Sequence, residues 1–192
     1  LTPFSKFEIK SDKAHKELQK ICTANIKNEV GKCIYTHMLN PDGGIETDLT
    51  VVCIEKDHFR IISSAATRER DKFHIKKYLA KDIELKDVTD DFCVFGVFGP
   101  KSRALMKSIS KDNFENDEFR FGTAKYISIE GIKIWTQRLS YVGELGFELY
   151  VRSKDAKKIY ELLIDKGKDF NLSNCGMHAM DIMRMESGFL HW

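Results

Sequence analysis

The run Arg138-Leu-Ser-Tyr-Val-Gly-Glu-Leu-Gly-Phe-Glu-Leu-Tyr150 limits the folds open to this chain more than any other stretch. It links two extended segments, Ile132 to Arg138 and Phe147 to Val151, by a connection dense in chemistry. Tyr141, Gly143, Glu144, Gly146 and Glu148 fall within eight residues. The glycines let backbone approach another molecule closely, while two carboxylates and a phenol offer acceptors and donors to a flat polar ligand. A wide hairpin with a charged tip has much the same composition, and the run alone does not separate the two. A second cluster, Tyr35-Thr-His-Met-Leu-Asn-Pro-Asp-Gly-Gly-Ile-Glu-Thr-Asp-Leu-Thr-Val51, again sets a tyrosine and a carboxylate (Asp48) around a glycine turn. Two such clusters favour the ligand reading.

Around them short strands and helices alternate. Phe4 to Ile9 alternates as a strand, and Ser11 is placed to cap a helix to about Cys22. Cys33 to Leu39 and Ile45 to Ile54 read as strands joined by the turn Asn40-Pro-Asp-Gly-Gly44, and Phe59 to Ser64 returns after Glu55-Lys-Asp-His58. Thr67 to Leu79 has apolar residues at helical spacing, and a strand near Ile83 to Val88 closes a first unit. Phe92 to Phe98 is a dense apolar run, read as a buried strand, and Gly99-Pro100 starts a helix through Ile109. Residues Lys111 to Phe121 are polar and irregular. Ala124 to Ile129 and Ile132 to Arg138 make a hairpin about Glu130-Gly131. Ser153 caps a long amphipathic helix to about Lys168, and Met177 to Glu186 forms the last helix. No internal repeat is visible. The class is α+β, as two units, residues 1–90 and 91–192, each an antiparallel sheet with helices on one face, ferredoxin-like in style.

A hydrophobic share of 42% with 31% charged residues suits a soluble globular chain. No apolar run approaches the roughly 20 residues that span a bilayer, so no membrane partner is expected. A net charge of +2, mixed along the chain, gives no long-range attraction to nucleic acid. Cys22, Cys33, Cys53, Cys93 and Cys175 are widely spaced and mostly in apolar surroundings, as reduced thiols of an intracellular compartment are. None has the close spacing of a zinc pair, so no metal is expected. Leu1 opens without a methionine or a targeting segment, and Trp192 is a poor residue to leave on a fraying end. The chain therefore reads as a piece of something longer, from a bacterial cytoplasm or a mitochondrial matrix.

At both clusters the chain resembles the folate-binding, aminomethyltransferase-type domain of the glycine-cleavage T-protein family. It is most similar to the version fused to the flavin domain of dimethylglycine and sarcosine dehydrogenases. The resemblance is carried by Leu1 to Lys10, Tyr35 to Val51, Val88 to Lys101, Arg138 to Tyr150 and Gly176 to Trp192, in the family's order. It implies a truncated form of that fold, lacking the C-terminal barrel.

The resemblance also implies tetrahydrofolate as the ligand. Asp48 matches the carboxylate near the folate nitrogens that receive the one-carbon unit, where it stabilises a cation and takes the proton the amine loses. The plainer alternative is a strand-end aspartate that caps the turn. Glu46, two residues earlier, is placed by strand alternation on the same face as a weaker candidate. Glu148 matches the carboxylate that grips the pterin by accepting two parallel hydrogen bonds from an aminopyrimidinone. Its neighbours Phe147 and Leu149 face the core, and the alternative is a solvated strand glutamate. Tyr35 and Tyr141 match the pocket walls, although each is also an ordinary packing residue. The role of Glu144 is open, and Arg138 reads as a strand end. The stand-alone glycine-cleavage enzyme carries an arginine on its last helix that serves the folate site. Met180 holds that position here, with Arg184 one turn later, which favours the dehydrogenase type. Asp181 and Glu186 read as structural.

The function implied is tetrahydrofolate-dependent one-carbon transfer, as the folate domain of a dimethylglycine- or sarcosine-dehydrogenase-like protein. Its small-molecule partner is then a methylated amine or the iminium or formaldehyde it releases. Alternatives are a folate-dependent methyltransferase on another methyl donor and a non-catalytic regulatory module of the same fold. Joint retention of Asp48, Tyr141 and Glu148 argues against the module. FAD is expected only through an upstream flavin domain, in cis or as a subunit, because the chain lacks the glycine fingerprint of a dinucleotide fold.

Overall fold

The computed structural model describes residues 3–190, so Leu1-Thr2 and His191-Trp192, the outer ends of two resemblance stretches, lie outside the described residues. The chain divides between Thr89 and Asp90 into two compact units. The first contains β1 (Phe4–Lys10), α1 (Ala14–Ile21), β2 (Cys33–Leu39), β3 (Ile45–Glu55), β4 (His58–Ser64), α2 (Arg68–Tyr78) and β5 (Leu85–Asp87). Its sheet runs β2-β3-β4-β1-β5 with every pair antiparallel. Strand alternation explains why one face takes the helices. Phe7 and Ile9 of β1, Leu49, Val51 and Cys53 of β3, and Phe59 and Ile61 of β4 all point to that side. There they form one core with Ala14 and Leu18 of α1 and Ile75 of α2.

The β2–β3 turn is built by Asn40. Its side-chain Oδ1 accepts from the backbone N–H of Asp42 at 3.0 Å and of Gly44 at 2.8 Å. Gly43 sits at φ +83°, which a side chain there would resist. The turn sets a register in which His37 faces Asp48 and Tyr35 faces Thr50. A bulge follows near the turn, where Met38 pairs with Thr47 and Leu39 with Ile45, leaving Glu46 as the extra residue.

The second unit contains β6 (Phe92–Phe98), α3 (Ser102–Ile109), β7 (Ala124–Ile129), β8 (Ile132–Gln137), β9 (Gly146–Arg152), α4 (Ala156–Gly167) and α5 (Met177–Glu186). Its antiparallel sheet runs β6-β9-β8-β7. Val97, Ile127, Ile134, Phe147, Leu149 and Val151 face Leu105 and Met106 of α3 and Ile159 and Leu163 of α4. The irregular stretch before β7 adds Phe114 and Phe119, whose rings lie 5.4 and 5.6 Å from that of Phe147.

The two units wind alike. Each runs strand, helix, three strands, helix, and each sheet places its first strand beside its fourth. The pattern β2-β3-β4-β1 recurs as β7-β8-β9-β6, although the sequence shows no repeat. Topology needs only matching apolar faces, so residue identity is at liberty to diverge.

Three helix starts differ from the sequence reading. Ser11 does not cap α1: its carbonyl and hydroxyl close a turn onto Ala14 and Lys13, and the helix begins at Ala14. Ser153 lies in a short 3-10 turn before α4 and donates its hydroxyl to the Asp90 carbonyl at 2.7 Å. Gly99-Pro100 precedes α3, which begins at Ser102. Among the described residues no helix is long and apolar enough to cross a membrane.

Candidate functional site

In the first unit Tyr35 and Asp48 stand on the sheet face turned away from α1 and α2. The Tyr35 hydroxyl donates to Asp48 Oδ2 at 2.9 Å, a diagonal contact between neighbouring strands. Tyr35 is 58% exposed, so its ring is a surface feature and not a core one. The turn needs nothing from Asp48, since Asn40 already satisfies its N–H groups, and the turn-cap alternative for Asp48 falls away. Glu46 is set apart by the bulge, which ends the alternation argument for it, and its carbonyl accepts from the Arg70 guanidinium.

Two neighbours of this pair were not singled out from sequence. His37, directly opposite Asp48, meets the Tyr35 ring edge-on at 5.3 Å, and strand alternation on β2 is the signal that reaches it. Asp71 of α2 is 1% exposed and accepts the hydroxyls of Thr67 at 2.8 Å and of Thr47 at 3.3 Å. With Arg70 on Glu46, α2 thus grips the two residues before Asp48 from behind the sheet. An acidic residue in a helix's first turn ordinarily complements the helix dipole, so sequence offers no sign of this task.

In the second unit Glu148 lies on β9 between Gly96 of β6 and Gln137 of β8, on the face turned from α3 and α4. Phe147 and Leu149, on either side, are fully buried as expected. Burial pushes the Glu148 carboxyl up to about 7, and the Tyr150 hydroxyl, donating to Oε2 at 3.1 Å, opposes that rise. The residue as a whole is part-exposed, Gly96 across from it is exposed, and among the described residues Tyr150 is the one side chain that donates to the carboxylate. The buried indole N–H of Trp135, opposite Tyr150 on the same face, also has no partner among the described residues. A ligand with donors along one edge and an acceptor beside them fits this group.

Tyr141 is differently engaged. Its ring stacks against Phe189 at 6.4 Å and its hydroxyl reaches the Leu190 carbonyl at 3.5 Å. The two glycines of the 138–150 run are explained by packing inside the protein. A Cβ on Gly143 would fall 2.2 Å from Ser187 Oγ, and one on Gly146 2.4 Å from the Phe98 ring. Glu144 is exposed, while Arg138 donates to the Phe119 carbonyl at 2.9 Å, a structural role. Met180 is buried in α5, and Arg184 is held by Asp181 at 3.2 Å and by the Phe189 carbonyl at 3.1 Å. Of the residues singled out from sequence, Asp48 pairs with Tyr35 in the first unit, and Glu148 takes its hydrogen bond from Tyr150 in the second.

Comparison with known proteins adds to this geometry. The GCVT N-terminal domain profile matches residues 1–192. The chain is 34% identical to 4-methylaminobutanoate oxidase (formaldehyde-forming) of Paenarthrobacter nicotinovorans and 32% identical to mitochondrial dimethylglycine dehydrogenase of Rattus norvegicus. All of this chain is covered in both cases, and 23% of each relative, so the chain spans less than a quarter of their length. Its fold matches the crystal structure of glycine cleavage system aminomethyltransferase T from Bartonella henselae with a TM-score of 0.83 at 19% identity. That match covers 98% of this chain and 50% of the other.

Proposed function

The chain belongs to the GCVT N-terminal domain family, as an aminomethyltransferase-type domain related to dimethylglycine dehydrogenases, and from that premise we propose that it carries out tetrahydrofolate-dependent one-carbon transfer. The observation that supports this most is the Tyr35–Asp48 hydrogen bond on an open strand face, with the turn-capping task already taken by Asn40. A carboxylate held there by one oxygen keeps the other for a proton or a cation.

Reduced folate, when bound, supplies the amine that takes up a carbon at the formaldehyde level. Asp48 accepts the proton that this amine loses and stabilises positive charge beside it. Tyr35 fixes the carboxylate's rotamer, so orientation is set before reaction. Glu148 takes the aminopyrimidinone edge of the ligand through paired N–H donors. Those donors favour the ionised carboxylate, so binding pulls its proton off below pH about 7. Tyr141 forms a side wall together with Phe189.

Oxidation of a methylated amine belongs, in this reading, to a flavin domain elsewhere in the parent protein or in a partner subunit. The location is an intracellular, reducing one, a mitochondrial matrix or a bacterial cytoplasm. The test is direct. The full-length protein, given formaldehyde and tetrahydrofolate, is expected to speed formation of methylene-tetrahydrofolate over the uncatalysed rate. No acceleration, together with no folate binding in calorimetry, would refute the proposal.

A further inference from the structure

Phe98 is an aromatic residue that neither hydrophobic core includes. Among the described residues no other ring and no cation stands over it. Its position is defined by two glycines side by side on neighbouring strands. A Cβ on Gly96 would lie 2.5 Å from Phe98 Cε2 and 2.6 Å from Cζ, and a Cβ on Gly146 would lie 2.4 Å from Cδ1. Cδ1 and Cε2 belong to opposite edges of the ring. The part-exposed ring therefore packs over the backbone of both glycines and bridges β6 and β9.

The register ties this ring to Glu148. Phe98 pairs with Gly146 and Gly96 pairs with Glu148, with the inward-facing Val97 and Phe147 between them. Phe98, Gly96 and Glu148 thus share one face in successive rungs, and Gly96 is exposed. A part-exposed aromatic ring next to a carboxylate and an exposed glycine makes a shelf for a flat heterocycle with donors at its edge. Covering glycines with an aromatic ring also repairs a strand, so the test must separate the two roles.

We propose that Phe98 is the stacking platform for the ring whose edge Glu148 holds, and so a specificity-determining residue for a reduced pterin. This deepens the folate reading and rests on it. The full-length protein is titrated calorimetrically with tetrahydrofolate and with 6-methyltetrahydropterin, which keeps the ring and lacks the tail. Phe98→Leu is expected to weaken the pterin about three- to tenfold, and Phe98→Trp to restore it, with thermal melting as the control for folding. Gly96→Ala, whose Cβ pushes the ring aside, is expected to weaken it in the same way, and gives a second route should Phe98→Leu fold poorly. Pterin affinity unchanged in folded Phe98→Leu and Gly96→Ala, with the wild type binding normally, overturns the platform and leaves the folate reading standing. A wild type that binds neither ligand overturns both.

Discussion

Glu148→Gln sets stability and binding against each other, and the structure gives the size and sign of each effect. In the folded protein burial raises this carboxyl from 4.5 to about 7. The group thus costs nothing while protonated, and its stabilising contribution is lost progressively as the pH rises from 4.5 through about 7. At about 1.4 kcal/mol for each tenfold change in acidity, the full loss is about 3 kcal/mol. Relaxation and water entry around a part-exposed residue reduce this to roughly 1–2 kcal/mol. Glutamine is neutral at every pH and keeps what glutamate loses. The variant is therefore expected to be more stable than wild type at pH 8.5 by about that amount, with the gap narrowing clearly by pH 5.5. Tetrahydrofolate binding moves the other way, weaker by about 1.5–3 kcal/mol, the usual worth of a hydrogen bond to a charged group. Urea denaturation of both proteins at the two pH values, with calorimetry of folate at pH 8.5, measures both sides. A stability gap that is absent at pH 8.5, or equal at both pH values, refutes the burial argument. Unchanged folate affinity removes Glu148 from the ligand contact.

Two other perturbations follow from the packing. Asp71→Ala removes the buried carboxylate that the Thr47 and Thr67 hydroxyls share, leaving them the Asp48 and Ser64 carbonyls. It is expected to cost about 1–3 kcal/mol in denaturation and to lower kcat more than folate affinity, with Asp71→Asn recovering part of both. Gly143→Ala puts a Cβ 2.2 Å from Ser187 Oγ at φ +74° and is expected to destabilise by more than about 1 kcal/mol. Adding Ser187→Gly should recover the steric part alone, and a double-mutant cycle with no coupling would contradict that.

Most of the fold was legible because period-2 alternation survives in strands with one wet face. Cys33 to Leu39 reads correctly for that reason, and so does Ile45 onward. Helix starts were less legible. Ser11 and Ser153 have the right chemistry for caps, but tight turns intervene and spend their hydroxyls elsewhere. The glycines of the 138–150 run pointed to a ligand by composition, whereas Ser187 and Phe98 occupy the space at Gly143 and Gly146. Gly96, the exposed glycine across from Glu148, is hidden in the apolar run Phe92 to Phe98, where uniform hydrophobicity conceals which residues face out. Phe98 was lost for the same reason. Asp48 and Glu148 were found through family resemblance, and the Tyr35–Asp48 contact follows from register, which a sequence fixes only through its turn.

The central claim, that Asp48 is the acid–base group of one-carbon transfer, is tested most directly by Asp48→Asn in the full-length protein. Asparagine keeps the size and one acceptor for the Tyr35 hydroxyl. With formaldehyde and tetrahydrofolate, the rate of methylene-tetrahydrofolate formation is expected to fall by about 10²–10⁴ while folate affinity changes little. Equal rates in the two proteins would contradict the claim and leave the transfer to proximity alone.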